Sequence, residues 1–192
     1  MPLVIPPIVV AYLWSIYLEP NYGVIATIEQ SLHLSGLNVS LLGSQALALP
    51  TIAVITAWAG MGFPILVFLA ALIDVPKELM DAAKIDGAGN LRTFWSVTLP
   101  LIRSTIYTIM TLNFVWSFGT FDLIYIMEGT QAGPNYATDV LGTLFYRTAF
   151  GGFGATARGL GLATALAVVG FGLVMIASAF FVILQKRSGV EY

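Results

Sequence analysis

Long stretches without charged side chains dominate the pattern of this sequence. Asp, Glu, Lys and Arg are absent from residues 1–18, 30–73, 104–121 and 159–185. An α-helix rises about 1.5 Å per residue, so roughly 20 apolar residues cross the hydrocarbon core of a bilayer. The pattern therefore predicts an all-α membrane protein, a polytopic helical bundle, with transmembrane helices at about 2–18, 46–73, 104–127 and 160–184. The first of these is short and rich in proline.

Composition strengthens this prediction and excludes several other classes of protein. Of the 192 residues, 58% are hydrophobic and 9% are charged, whereas a soluble domain carries about 25% charged residues. The net charge of -2 argues against nucleic acid as a partner. The chain has no cysteine, and its only histidine is His33. We therefore expect no metal site and no catalytic triad.

The distribution of basic residues predicts the orientation in the membrane. Loop 19–45 has no Lys or Arg, and loop 128–159 has two. Most of the basic residues fall in loop 74–103 and in the tail, namely Lys77, Lys84, Arg92, Arg103, Lys186 and Arg187. Because basic loops stay in the cytoplasm, we expect this loop and both termini to be cytoplasmic.

A glycine-rich segment at residues 151–157 matches a dinucleotide-binding pattern, G-x-G-x-x-A from Gly152. That pattern needs a preceding strand and a following helix N-terminus, whereas this segment adjoins a predicted membrane span. We therefore reject dinucleotide binding by this segment. Small residues there, and Gly161 and Ala165 at the start of the last span, are expected to allow close packing.

Loop 74–103 has a more informative pattern. Pro76 is suited to the start of a helix that should run to about Ile85 and stop at Gly87. A second helix should then place the residues Leu91, Phe94, Trp95 and Thr98 on one face and end at Pro100. The first helix would present Ala82 and Ala83 with acids on either side. An ordinary amphipathic connector would explain the pattern equally well.

The same loop resembles the EAA loop of the integral-membrane subunits of bacterial ATP-binding-cassette importers. That motif reads E-A-A, three residues, G, nine residues, I, one residue, L-P. Here the matching positions are Asp81-Ala82-Ala83, Gly87, Val97 and Leu99-Pro100, with Asp for Glu and Val for Ile as the two departures. The spacing matches without a gap.

The resemblance extends over essentially the whole chain and is closest to carbohydrate importers of the maltose and glycerol-3-phosphate type. It rests on Leu3–Trp14, Glu19–Gly23, Trp58-Ala59-Gly60, Phe121–Tyr125 with Gly133-Pro134, and Tyr146–Phe150. The family has six core spans. This chain looks like the last four, so we expect that two upstream spans are missing.

The resemblance implies that the EAA helix docks on a separate ATPase subunit. The docking residues would be Asp81, Ala82, Ala83, Asp86 and Gly87. The chain has no G-x-x-x-x-G-K-[ST] phosphate-binding loop, so we expect no enzymatic activity, and no cofactor bound by this chain. ATP and Mg would be bound by the partner. The implied partners are a pair of ATP-binding subunits, a second permease, an extracytoplasmic solute-binding protein, membrane lipid and a sugar substrate.

Sugar-importer positions and the polar residues of two spans suggest a substrate pathway. The residues are Thr56, Trp58, Gly60 and Phe63 on the second span and Asn113, Trp116, Ser117 and Thr120 on the third. Aromatic rings stack on sugars while polar groups bind hydroxyls. The same residue types also form interfacial belts and interhelical hydrogen bonds, which is the alternative interpretation.

Three other functions compete with sugar transport. An intramembrane enzyme or a channel would need titratable groups within the spans, which offer only Asp122 at an edge. A permease for another small solute, such as an amino acid or phosphate, has the same overall pattern. A truncated fragment without function is the third alternative.

Overall fold

A computed structural model describes residues 2–31, 40–151 and 159–187, and every element assigned within these ranges is helical. After a 3₁₀ turn at Pro2–Val4, the helices in chain order are α1 (Pro7–Tyr17), α2 (Val24–Ser31), α3 (Ala48–Gly60), α4 (Gly62–Ile73), α5 (Lys77–Ile85), α6 (Asn90–Thr93), a π-helical turn (Phe94–Thr98), α7 (Leu99–Leu101), α8 (Arg103–Phe118), α9 (Asp122–Glu128), α10 (Leu141–Phe150) and α11 (Leu160–Arg187). The predicted positions at His33 and at the glycine-rich segment 152–157 lie outside the described residues.

Among the described residues, α11 is the one unbroken helix long and apolar enough to cross a membrane, over Leu160–Gln185. The pairs α3 with α4 and α8 with α9 would raise the number to three if each pair is a single interrupted span. Helix α1 has 11 residues, which is shorter than a span. Helices thus occupy all four predicted segments, and the number of spans stays a prediction.

Both interruptions occur inside segments that the apolar pattern predicted as continuous. Helix α3 ends at Gly60 and α4 starts at Gly62. Pro64 has no N–H for the carbonyl of Gly60, and its ring crowds that carbonyl, which explains the break. The second break follows Phe118, where Gly119 precedes a short non-helical link.

The chain divides into two compact units. Unit 1 comprises Met1–Met61 and Ser117–Val174, and unit 2 comprises Gly62–Trp116 and Met175–Tyr192. The core of unit 1 forms where α1 packs against α9 and α3. Its buried residues are Val10, Ala11, Leu18, Ile55 and Leu123, with Ile52, Ile124 and Ala132 in a second cluster. These apolar contacts hold the three short helices together.

An aromatic cluster joins α9 to α10 within unit 1. The rings of Phe121 and Tyr125 lie 5.0 Å apart between centroids, and the Tyr146 ring lies 5.2 and 5.1 Å from them. Phe150 extends the cluster at 5.1 Å from Tyr146. Two of the stretches that carried the family resemblance, 121–125 and 146–150, thus meet in space.

Close packing of α11 involves other small residues than the sequence predicted. Gly161 and Ala165 are exposed, whereas Ala163 and Gly170 are buried. A Cβ atom at Gly170 would collide with the side chain of Leu141 on α10. Positions 163 and 170 are two helical turns apart and lie on the face of α11 that packs in unit 1. The predicted packing face, with Gly161 and Ala165, was therefore wrong.

In unit 2, α8 packs against the C-terminal half of α11. The rings of Phe114 and Phe181 lie 5.4 Å apart. Nearer loop 74–103, Gln185 Nε2 lies 3.4 Å from Ser104 Oγ and 3.5 Å from Thr108 Oγ1. Long polar contacts therefore supplement the apolar ones where α8 begins.

Candidate functional site

Helix α5 forms the first half of loop 74–103. It begins directly after Pro76, whose φ of -59° suits a helix start, and Glu78 lies in its first turn. The helix ends at Ile85, which confirms the predicted end. Lys84 Nζ pairs with Asp81 Oδ1 at 3.0 Å, and both side chains are largely exposed. An exposed pair at this spacing adds little stability and leaves both charges available to a partner.

Gly87 ends α5 through a six-residue hydrogen-bonded turn. Its φ is +75°, in the left-handed region that favours glycine. Its N–H donates to the Lys84 carbonyl at 3.0 Å, and the Ala88 N–H donates to the Ala83 carbonyl at 2.9 Å. This pair of bonds defines a Schellman motif, which satisfies the last carbonyls of α5 and reverses the chain direction.

The second half of the loop differs from the sequence prediction. The helix does not end at Pro100 but continues to Leu101, because α6 passes through the π turn into α7. Pro100 lacks the N–H that would bond the carbonyl of Ser96, and the π turn directly before it already interrupts the regular α-helical hydrogen bonding. The wider π turn also rotates the side chains that follow it.

The predicted apolar face of this half is therefore split. Thr98 and Thr93 are buried on the side toward α5, where the Thr98 hydroxyl contacts Met80 Sδ at 3.6 Å. Leu91 and Trp95 are 74% and 62% exposed. Grouping Leu91 and Trp95 with Thr98 on one face was wrong.

The structure separates the predicted docking residues into two groups. Asp81, Ala82, Asp86 and Gly87 are exposed. Ala83, in contrast, is 9% exposed. Successive residues of an α-helix are rotated by about 100°, so Ala83 faces α6 and the π turn while Ala82 does not. The expectation that α5 presents Ala82 and Ala83 together is thus corrected to Ala82 alone.

The three predicted pathway residues on α3 lie in unit 1. The hydroxyl of Thr56 donates to the Ile52 carbonyl at 2.8 Å within α3. Trp58 packs edge-on against Trp14 with centroids 5.7 Å apart. Gly60 lies at the end of α3, with no heavy atom within 4 Å of an added Cβ. None of these contacts places a polar side chain beside Trp58.

Trp58 instead lines an apolar cavity of about 450 Å³ in unit 1. Its lining is Trp14, Leu18, Ile25, Leu41, Pro50, Thr51, Val54, Ile55 and Trp58. A sugar hydroxyl buried there would find few hydrogen-bond partners, which would be costly. The environment of Trp58 therefore suits an apolar group better than a sugar.

The pathway residues of unit 2 include one direct contact. The rings of Phe63 and Trp116 lie 5.3 Å apart at an interplanar angle of 65°, and Trp116 is 52% exposed. Asn113 donates its side-chain amide to the Ile109 carbonyl at 2.9 Å. The two rings form an aromatic pair in which Trp116 is exposed and Phe63 is half-buried.

The remaining predicted residues, Ser117 and Thr120, also lie in unit 1, at the break between α8 and α9. The Thr120 N–H donates to the Ser117 carbonyl at 3.4 Å as α8 ends. The apolar pattern gave no sign of this break.

Sequence reasoning missed an ion pair between α10 and the loop before it. Arg147 donates to both carboxylate oxygens of Asp139, at 2.6 and 3.3 Å, and both side chains are mostly buried. The Thr143 hydroxyl donates to Asp139 Oδ1 at 2.7 Å, and the Arg147 guanidinium lies 4.6 Å from the Tyr136 ring centroid. The only signal in the sequence is an acid eight positions before an arginine, which is common.

Comparison with known proteins identifies the family. The chain matches the family of binding-protein-dependent transport system inner membrane components over residues 1–189, and it belongs to that family. It is thus a component of a transport system and a membrane protein.

Two curated relatives are sugar-transport permeases by name. The chain is 31% identical to the diacetylchitobiose uptake system permease protein of Streptomyces coelicolor, over 98% of this chain and 52% of that protein. It is 34% identical to the multiple sugar-binding transport system permease protein of Streptococcus mutans, over 87% of this chain and 55% of that protein. The chain thus spans about half the length of these relatives.

Solved structures share the fold. One is the bacterial alginate ABC transporter in complex with alginate pentasaccharide-bound periplasmic protein, with a TM-score of 0.82 and 26% identity. The match covers 97% of this chain and 62% of that chain. The predicted helical membrane fold and the family resemblance are confirmed.

Proposed function

We propose that this chain is a membrane-spanning subunit of an ATP-driven importer that forms half of a translocation pathway for a carbohydrate. The proposal is supported by the family and by the names of the two relatives, which refer to diacetylchitobiose and to multiple sugars. The solved structure with the same fold is that of an alginate transporter, and alginate is also a carbohydrate polymer. Another small solute, an amino acid or phosphate, is the alternative substrate.

The observation that carries the coupling role is the construction of α5. Its outer surface presents Asp81 and Ala82, and its inner surface, with Ala83, packs on the rest of the loop. The small side chain of Ala82 permits close approach of a partner backbone, while Asp81 and Asp86 offer charge to basic groups or N–H donors. We infer that this surface docks on a separate ATPase subunit, with Gly87 keeping the helix end in place.

The remaining partners follow from this role. The pathway would be completed by a second permease subunit, and the solute would be delivered by an extracytoplasmic binding protein. ATP and Mg would bind to the ATPase pair, and no cofactor to this chain. We place loop 74–103 and both termini in the cytoplasm, because the basic residues concentrate there.

Phe63 and Trp116 are the strongest candidates for substrate contact. They form an edge-to-face pair in which Trp116 is exposed, and aromatic rings of this kind stack on the apolar faces of sugars. Asn113, three positions before Trp116 on α8, would supply a hydrogen bond to a sugar hydroxyl. Trp58 is a weaker candidate because its cavity is apolar.

A transport assay tests this proposal. The chain would be reconstituted in vesicles with its second permease, ATPase pair and binding protein, and radiolabelled oligosaccharides, amino acids and phosphate would be offered. We expect ATP-dependent uptake of an oligosaccharide and none without the ATPase. Selective uptake of an amino acid or phosphate would replace the carbohydrate assignment, and uptake that needs no ATPase would contradict coupling. Loss of all uptake unless upstream helices are supplied would identify this chain as an inactive fragment.

A further inference from the structure

The two halves of loop 74–103 have opposite charge. Residues 74–86 contain the acids Asp74, Glu78, Asp81 and Asp86 and two lysines. From Gly87 to Phe121 the chain has no acid, and its only charged residues are Arg92 and Arg103. A single partner surface would not complement both halves, so the basic half requires a separate explanation.

Apolar side chains accompany the basic residues in that half. Leu91 and Trp95 are 74% and 62% exposed and lie four positions apart, while Phe94 contacts Trp95 with ring centroids 5.6 Å apart. We call residues 90–103 the basic segment. Its inner side is already occupied, because Thr93 and Thr98 are buried toward α5. The side chains of Leu91 and Trp95 therefore point away from α5.

The position of the basic segment brings it close to a membrane. It leads directly into α8, where residues 104–121 carry no charge and Arg103 is the last basic residue before them. Trp side chains and arginines with snorkelling side chains concentrate at the boundary between headgroups and acyl chains. A segment with apolar side chains, basic charge and no acid is suited to an anionic lipid surface.

We propose that the basic segment lies in the plane of the membrane interface, with Leu91 and Trp95 inserted among the acyl chains and Arg92 bound to anionic lipid phosphate. The π-helical turn Phe94–Thr98 is compatible with this arrangement, because within it Trp95 is exposed while Thr98 is buried and contacts Met80. The lipid surface thereby supports the loop from the side opposite the docking surface. This inference is independent of which solute is transported.

Site-directed spin labelling tests the proposal on the full chain, which has no native cysteine. Labels would be placed singly at Leu91→Cys and Trp95→Cys, with Ala82→Cys on α5 as the matched exposed control. The chain would be reconstituted in vesicles of equal parts phosphatidylethanolamine and phosphatidylglycerol. Collision with lipid-soluble oxygen would be compared with collision with a water-soluble nickel chelate.

We expect labels at positions 91 and 95 to meet oxygen several-fold more often than the nickel chelate, and the label at 82 to show the reverse. In vesicles of phosphatidylcholine alone, the labels at 91 and 95 should lie less deep in the membrane than in vesicles with phosphatidylglycerol. Arg92→Gln should abolish this difference in depth between the two kinds of vesicle. Trp95→Cys removes the indole that is proposed to insert, whereas Leu91→Cys keeps it. Leu91→Cys therefore controls for any change of depth caused by the loss of the indole.

Two results would overturn the proposal. Free access of the nickel chelate to positions 91 and 95 in phosphatidylglycerol vesicles would place the segment in water. Shielding of these positions from both reagents only after the ATPase pair is added would make the segment a protein interface. Shielding of position 82 by the ATPase reports on docking alone, so a failure of the docking proposal can be distinguished from a failure of this one.

Discussion

The hydroxyl of Thr98 lies 3.6 Å from the sulfur of Met80, a contact that joins the two halves of loop 74–103 across 18 positions in sequence. A second contact, from the Thr93 hydroxyl to the Ala88 carbonyl at 3.5 Å, lies near the turn. Helix α5 is therefore not a free arm. A displacement of α5 by a docked partner would be passed to the start of α8 through these residues.

The first prediction concerns the turn at Gly87. Gly87→Val forces a branched side chain into left-handed backbone, at a cost of about 1–2 kcal/mol, and should displace the end of α5. We expect about a tenfold loss of ATP-driven uptake with normal insertion in the membrane. Gly89→Ala is the matched control, because Gly89 has a φ of -69° and open space around an added Cβ. Equal uptake by both variants would show that the Gly87 conformation is unimportant.

The second prediction compares the two ion pairs within the described part of the chain. Arg147→Met removes a mostly buried, doubly hydrogen-bonded partner of Asp139 and should destabilise unit 1 by about 2 kcal/mol. Lys84→Met breaks the exposed pair with Asp81 and should leave stability unchanged. Thermal unfolding in detergent measures both. Equal melting temperatures for the two variants would mean that the buried pair contributes no more than the exposed one.

The third prediction tests packing of α11 against α10. Gly170→Ala adds a methyl group where the end of the half-buried Leu141 side chain lies, so that side chain must turn away and the variant should be less stable than Gly172→Ala by about 1 kcal/mol. Gly172→Ala, two positions along the same helix, meets nothing within 4 Å and should be neutral or slightly stabilising. The stability difference should shrink when Leu141→Ala is combined with Gly170→Ala. A persistent difference would place the clash elsewhere.

The fourth prediction concerns the aromatic pair of unit 2. Trp116→Ala removes the exposed ring beside Phe63 and should raise the KM for carbohydrate uptake several-fold, while Trp116→Phe should keep most of the affinity. ATP hydrolysis without substrate should not change in either variant. An unchanged KM in Trp116→Ala would leave the pair with a purely structural role.

The helical fold and the family could be predicted from the sequence because both depend on local signals. Apolar length predicts membrane helices, and the fixed spacing from Asp81 to Pro100 predicts the loop family. The end of α5 was also predictable, since Gly87 supplies a backbone conformation that other residues avoid.

Features that depend on tertiary contacts could not be predicted. The direction of Ala83 is set by the packing of α5 on the following π turn, and periodicity alone gave no sign of that turn. The breaks after Gly60 and Phe118 are a different case, because Pro64 and Gly119 mark them in the sequence and only the apolar pattern hides them. The contact of Asp139 with Arg147 joins a loop to a helix, and no motif marks it.

Site-specific crosslinking of α5 tests the central claim most directly. Ala82→Cys places one thiol on the exposed surface of the helix, and Ala83→Cys places one on its buried side as a control in an otherwise cysteine-free chain. Each variant would be assembled in vesicles with the second permease and the ATPase pair, then treated with a short bifunctional reagent. We predict a crosslink to the ATPase from position 82, much less from position 83, and loss of the crosslink in a Gly87→Val background. A stable assembly in which position 82 gives no crosslink would contradict docking through α5.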